Sequence, residues 1–328
     1  MDLSHFLRFI AQRLIKAVSV VIGVIILAFF LVRLAPGDPA LVIAGQSGAA
    51  DAQFLDQLRQ QFGLDKSMPE QLFIYLKGIA QFDLGYSHRV QRTVASLIGE
   101  RLPATILLTG AAFLFAVSVG VTLGVLAARR VGTWADSLIT VVALTCYATP
   151  LFWVGLIFIL IFSIQLGWLP ALGMFTIGAD LSGPAFALDV GRHLILPALT
   201  LGLFFMALYA RLTRASMLEV ATQDFVRTAR AKGLREGPIV RRHVLRNALL
   251  PVIGFAGVQA GTLVGGSVLV ETVFSWPGVG RLAFEALLAR DYNLLLGVFI
   301  TTSAMAVVIN LITDVVYALV DPRIEVGA

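Results

Sequence analysis

Six apolar runs of spanning length divide the chain, at residues 14–32, 104–128, 137–166, 193–212, 249–270 and 294–320. A bilayer core about 30 Å thick takes about 20 residues of helix to cross, so each run predicts one membrane-spanning helix. The third run is the longest and contains Pro150, which predicts one long helix kinked at the proline, because two crossings would need at least about 34 residues plus a turn. The first run follows Arg8, Arg13 and Lys16 and so has the flanks of a secretory leader. It is too long for one, and Pro36-Gly37-Asp38-Pro39 stands where a small-residue cleavage site belongs, so it is read as the first span.

Two polar segments between the runs carry helical signals of their own. In the stretch 35–103, Phe54, Leu55, Leu58 and Phe62 recur at helical spacing. Ser67-Met68-Pro69-Glu70 then predicts a capping box with proline in the first turn, leading into Leu72, Phe73, Leu76 and Ile79. The segment is predicted to fold, either as a cap on the helix ends or as a docking surface for an external delivery protein. The segment 211–246 predicts helix, turn, helix. The first piece spans 223–232 and stops at Gly233, suited to a left-handed cap; the second begins at Pro238. Ile239, Val240, His243, Val244 and Asn247 share one side of that second piece, with Arg241, Arg242 and Arg246 on the other. Anionic lipid would account for the charge, whereas the apolar stripe predicts a partner protein. Nucleic acid is excluded as a partner, since the segment is tethered to the bilayer at both ends.

Composition agrees with lipid as the solvent: 58% of residues are hydrophobic and 14% charged. The net charge of +5 matters through its distribution. With the N-terminus placed in the cytoplasm, the inner segments hold 15 Lys/Arg against 7 Asp/Glu, and the outer segments 10 against 12. That asymmetry obeys the positive-inside rule and places both termini and the loop 211–247 in the cytoplasm. Cys146 is the one cysteine, which excludes intrachain disulfides and cysteine metal sites.

Within the spans, Gly257, Gly261 and Gly265 recur at four-residue spacing, as do Gly120 and Gly124, which predicts close helix packing or a face along a translocation path. Asp314 is read as the one acid left inside a span, on a face with Asn310 and Tyr317. It fits a structural pair, a switch acid, or the ion site of an ion-coupled carrier. The sequence holds no phosphate loop, no H-E-x-x-H and no G-x-S-x-G, so neither ATP hydrolysis nor intramembrane proteolysis is assigned to it.

The motifs, taken in order, resemble those of the permease subunits of bacterial ABC importers for dipeptides, oligopeptides and nickel complexes. The likeness rests on Pro36-Gly37-Asp38-Pro39, on Phe62-Gly63-Leu64-Asp65 with Asp83-Leu84-Gly85, on Pro150-Leu151-Phe152-Trp153-Val154-Gly155 and on Leu169-Pro170-Ala171. It continues through Asp224-Phe225-Val226-Arg227-Thr228-Ala229-Arg230-Ala231-Lys232-Gly233-Leu234, Arg246-Asn247-Ala248-Leu249-Leu250-Pro251, Glu271-Thr272-Val273-Phe274-Ser275-Trp276-Pro277-Gly278 and Asp321-Pro322-Arg323. The block from Asp224 resembles the EAA loop, with Arg227 where the general pattern has glutamate and a longer run from Gly233 to Pro251. The resemblance implies an all-α, six-helix type I importer fold in the bacterial inner membrane. It divides the chain into a first helix (1–33), an extracytoplasmic loop (34–103) and a permease core (104–328). It further implies docking of ATP-binding subunits on a coupling helix within 211–247, through Asp224, Arg227, Thr228, Ala229, Arg230, Ala231, Lys232, Gly233, Leu234, Arg246, Asn247 and Pro251. The implied assembly adds a second permease subunit, two ATP-binding subunits that hold ATP and Mg2+, and an extracytoplasmic substrate-binding protein. No cofactor is implied in this chain, and peptides are the implied substrate, with nickel or glutathione as alternatives.

Overall fold

The computed structural model describes residues 3–34, 66–87 and 89–320. Its elements are α1 (Leu3–Leu34), α2 (Met68–Ala80), a short hairpin of β1 (Tyr86–Ser87) and β2 (Arg92–Thr93), α3 (Val94–Arg129), α4 (Trp134–Ala148) and α5 (Leu151–Phe158). After α5 come a π-helical segment (Ile159–Gln165), α6 (Gly183–Ala221) and α7 (Asp224–Ala231). A single turn (Glu236–Pro238) and a second π-helical segment (Ile239–Val244) then lead into α8 (Leu245–Val273), α9 (Val279–Leu288) and α10 (Tyr292–Val320). The predicted helix around Phe54, Leu55, Leu58 and Phe62 lies outside the described residues, as do Pro36-Gly37-Asp38-Pro39, Phe62-Gly63-Leu64-Asp65 and Asp321-Pro322-Arg323.

Five of the described helices are each long and apolar enough to cross a membrane: α1, α3, α6, α8 with its preceding turns, and α10. The third apolar run departs from the expected single kinked helix. It is two helices, α4 and α5, whose axes differ by 103°. Thr149 takes extended backbone angles, φ −81° and ψ 133°, because Pro150 disfavours a helical residue before it. The chain therefore leaves the helix altogether before restarting.

Packing of the neighbouring helices shows that this bent pair makes one crossing. Ala112 and Phe115 of α3 flank Gly202 of α6, Gly120 lies against Met206 and Tyr209, and Gly124 against Ala210 and Thr213. Residue numbers rise together on both helices, so α3 and α6 run parallel. Two parallel spans require the chain between them to return across the membrane once, which gives six crossings. A Cβ on Gly120 would stand 2.7 Å from the Met206 carbonyl oxygen, and one on Gly124 2.6 Å from that of Ala210, so these glycines set the spacing of the pair.

In the fifth span, Gly257 lies against Thr313 and Gly261 against Asn310 of α10, an antiparallel contact. Gly265 faces open space, so the three glycines do not act as one packed stripe. α6 has 39 residues, about 58 Å of helix at 1.5 Å per residue, well beyond the bilayer core. Its far end projects as a stalk beneath which the basic loop folds.

α2 forms where predicted, with Pro69 in its first turn, but Ser67 makes no side-chain cap and Glu70 instead lies 4.0 Å from Lys66. The expected reciprocal capping box does not form. Tyr75 of α2 packs on Phe29 of α1, and burial without a partner for its hydroxyl pushes the phenol pKa up.

Candidate functional site

Two clusters, one at each end of the helix bundle, carry the residues singled out by sequence. The basic end is built on α7. Asp224 opens this helix, where its charge favours the positive end of the helix dipole, and Arg227 lies 3.6 Å from it. The hydroxyl of Thr228 donates to the Asp224 carbonyl at 2.9 Å. After Lys232, Gly233 adopts φ +77°, the left-handed conformation expected of a C-terminal cap, and its N–H donates to the Arg230 carbonyl. Arg230 closes the turn, donating through Nε to Glu236 at 2.8 Å.

The apolar stripe, predicted to await a partner, is covered by the chain itself. Val226 and Ala229 of α7 pack with Ile239 and Val244 against Met217 of α6 and Ala248 of α8, and Val125 and Ala128 of α3 close the cluster. Val226 and Ile239 have no exposed surface. Periodicity shows that a face is buried, not what buries it, and here the inner ends of three spans do so. Asn247 stands exposed, apart from the stripe to which it was assigned, and its amide donates to the His243 carbonyl. The second helical piece starts at Glu236, two residues before Pro238. Pro251 lies inside α8, where it has no N–H to give the Asn247 carbonyl.

What remains outward on this end is Asp224, Arg227, Thr228, Arg230, Ala231, Lys232 and Gly233, with two large apolar side chains among them. Phe225 is 45% exposed and Leu234 47%. Phe225 is missed by sequence reasoning because it lies off the periodic stripe. Nearby, Asp136 at the start of α4 receives both Nε and Nη2 of Arg214 on α6, at 2.7 and 2.9 Å, and ties the bent span to the stalk.

The opposite end is centred on Glu271, which has no exposed surface. Its carboxylate accepts from Thr105 Oγ1 of α3 at 2.8 Å, from Ser267 Oγ at 3.1 Å and from the Arg281 N–H at 2.9 Å. Thr105 Oγ1 in turn accepts from the Val279 N–H, and Trp276 Nε1 donates to the Ala104 carbonyl. Gly278 and Gly280 lie so close to the carboxylate that neither has room for a side chain. The segment 274–281 is thus folded around one buried acid and pinned to α3. Asp314 is therefore not the one acid at span depth. Glu271 was counted with the outer loop because it sits one residue past an apolar run. Asp314 falls within α10, and its side chain lies outside the described residues.

The described residues hold no group of three or more His, Cys, Asp or Glu placed to bind a metal ion. The arrangement of helices as a whole is similar to a known one. The fold is that of the membrane subunit in inward-facing structures of the MetNI methionine ABC transporter, with TM-score 0.55 at 18% identity over 69% of this chain and 97% of that one. That likeness is one of fold.

The particular family follows from sequence. Residues 120–326 match the binding-protein-dependent transport system inner membrane component, and residues 6–109 match the N-terminal model of the same transport-system membrane component. A putative peptide permease protein of Brucella ovis is 40% identical over 98% of this chain and 99% of its own length. The di/tripeptide transport system permease protein of Pseudomonas aeruginosa and the glutathione transport system permease protein of Escherichia coli are each 40% identical, over 97% of this chain and 99% of theirs. The chain belongs to the binding-protein-dependent transport system inner membrane component family. It is an inner-membrane permease subunit of an ABC importer, a transport subunit rather than an enzyme, and this replaces the ion-coupled carrier reading.

Proposed function

We propose that this permease passes di- and oligopeptides, delivered by an extracytoplasmic binding protein, along a path shared with a second homologous permease subunit. The basic end faces the cytoplasm together with both termini, as the charge asymmetry requires. There α7 and the turn at Gly233 receive an ATP-binding subunit, which holds the ATP and Mg2+ absent from this chain's chemistry, and a second such subunit serves the partner permease. The family pattern extends the docking segment to Arg246, Asn247 and Pro251. The remaining divisions follow: 1–33 as the first span, 34–103 as the extracytoplasmic segment, 104–328 as the core.

The observation that carries this reading is the exposure of Phe225 on α7, whose inner face is already fully packed, and of Leu234 just past the turn at Gly233. A seated helix and its following turn, with one free apolar side chain on each and a rim of charge, have the make-up of a protein contact. Movement of a docked subunit would reach the spans through Val226 and Ile239 as one body. Glutathione is a second reading, favoured by the Escherichia coli relative at the same identity.

The test is uptake of labelled dipeptide and labelled glutathione in cells lacking their own systems, supplied with this chain and the subunits encoded beside it. Dipeptide uptake should require the ATP-binding subunits, and excess unlabelled glutathione should leave it unchanged. Uptake that persists without those subunits would sink the docking reading, and uptake of glutathione alone would move the substrate to the second reading.

A further inference from the structure

Three arginines at the basic end take no part in the packing just described. Arg214, Arg227 and Arg230 are each paired with a carboxylate. Arg241, Arg242 and Arg246 are exposed and form no ion pair or side-chain hydrogen bond among the described residues. They line one groove of about 910 Å³ together with Pro238, Leu245 and Leu249. Pro238, the pair Arg241 and Arg242, the pair Leu245 and Arg246, and Leu249 fall on successive turns, so they form a single stripe along the helical stretch that continues into α8.

We propose that this stripe is a binding site for an anionic phospholipid, whose phosphate is held by the three guanidinium groups and whose glycerol and upper acyl chain lie on Leu245 and Leu249. Three observations choose this occupant. Planar guanidinium forks match phosphate oxygens, and unpaired arginines beside a membrane draw anionic headgroups. The groove is far larger than one phosphate ion, which occupies the space of a few waters at roughly 30 Å³ each. Its polarity also changes along its length: Arg241 and Arg242 lead, Leu245 and Arg246 follow side by side, and it ends at Leu249, where the fifth apolar run begins. A soluble protein docked on the arginines would have no reason to continue along a face that passes into lipid. The site shares Arg246 with the docking segment proposed above, while Arg241, Arg242, Leu245 and Leu249 stand apart from the exposed side of α7.

The full-length chain, purified in a non-ionic detergent, is mixed with phosphatidylglycerol and phosphatidylcholine vesicle lipid at equal concentrations, and the retained lipid is counted by native mass spectrometry. At roughly fivefold per arginine, the combined variant R241Q/R242Q/R246Q should retain phosphatidylglycerol on the order of a hundredfold less well. R129Q/R130Q, which removes two exposed basic residues from the neighbouring loop, should change it less than about twofold. Size-exclusion elution and the thermal midpoint report whether each variant is folded. Should the combined variant fail there, the three single variants are compared at about fivefold each.

A loss below about tenfold in the combined variant, or below about twofold in each of the single variants, overturns the proposal. So does an equal loss in R129Q/R130Q, which makes the effect one of bulk charge, or complete displacement of the lipid by millimolar inorganic phosphate, which makes the site one for a free anion. Unchanged lipid retention with lost co-purification of the ATP-binding subunit would assign the arginines to protein docking instead.

Discussion

At the Glu271 end the helices are fastened by directed polar contacts, while at the basic end they are fastened by shape and apolar burial. One carboxylate gathers α3, α8 and the first turn of α9 through Thr105, Ser267 and the Arg281 N–H. The other end seats α7 through Val226, Ala229 and Ile239, with every formal charge of that helix left outward. Directed contacts hold one geometry and tolerate little displacement. Apolar packing is non-directional, so it can hold a body together while its polar rim is free to meet something else. On the docking proposed above, the pinned end would serve as a fixed frame and the packed end as the piece that transmits a load.

Removing the carboxylate is the severest way to break this comparison. Glu271→Ala leaves the buried Thr105 hydroxyl and the Arg281 N–H without their acceptor and should cost about 3 kcal/mol or more, read as a lowered thermal midpoint in detergent. Glu271→Gln keeps the shape, yet its amide nitrogen must face donors, so it should still cost about 1–3 kcal/mol. The corresponding change at the basic end, Ile239→Ala, should cost about 2–4 kcal/mol through lost packing. The near-isosteric Ile239→Leu should cost under about 1.5 kcal/mol. If Glu271→Gln were as mild as Ile239→Leu, the distinction between a directed and a packed fastening would fail.

Gly233→Ala probes a smaller effect. The backbone there is left-handed at φ +77°, and a Cβ would meet nothing within 4 Å, so only the conformational penalty remains. About 1 kcal/mol is expected, measured by urea or thermal unfolding of the purified chain. A loss of several kcal/mol would show that the turn is packed more tightly than its open surroundings allow.

Much of this was readable in advance, for reasons that also explain what was not. The six crossings, the helix ending at Gly233 and the basic side follow from length, cap chemistry and charge, which act locally along the chain. The break at Pro150 was visible, but its angle was not, because run length sets how far a helix reaches and not where its second half points. The cover of the Ile239 and Val244 stripe is not legible in the sequence, because amphipathicity names a buried face without naming what buries it. Glu271 escaped notice for a similar reason. An acid just past an apolar run looks solvated until Thr105, 166 positions away, is found donating to it.

The smallest stability effect carries the most functional weight. Phe225→Ala combined with Leu234→Ala removes two half-exposed side chains that take no part in the α7 cluster, so folding should change by less than about 0.5 kcal/mol per site. If the exposed side of α7 receives an ATP-binding subunit, those same substitutions should abolish its co-purification and dipeptide uptake while the thermal midpoint stays put. Ile239→Ala should show the opposite order, with loss of midpoint first and loss of co-purification only as the helix is unseated. Finding full co-purification with the double variant would mean that the subunit docks elsewhere. The packed end would then be a second fixed frame rather than the part that carries motion into the spans.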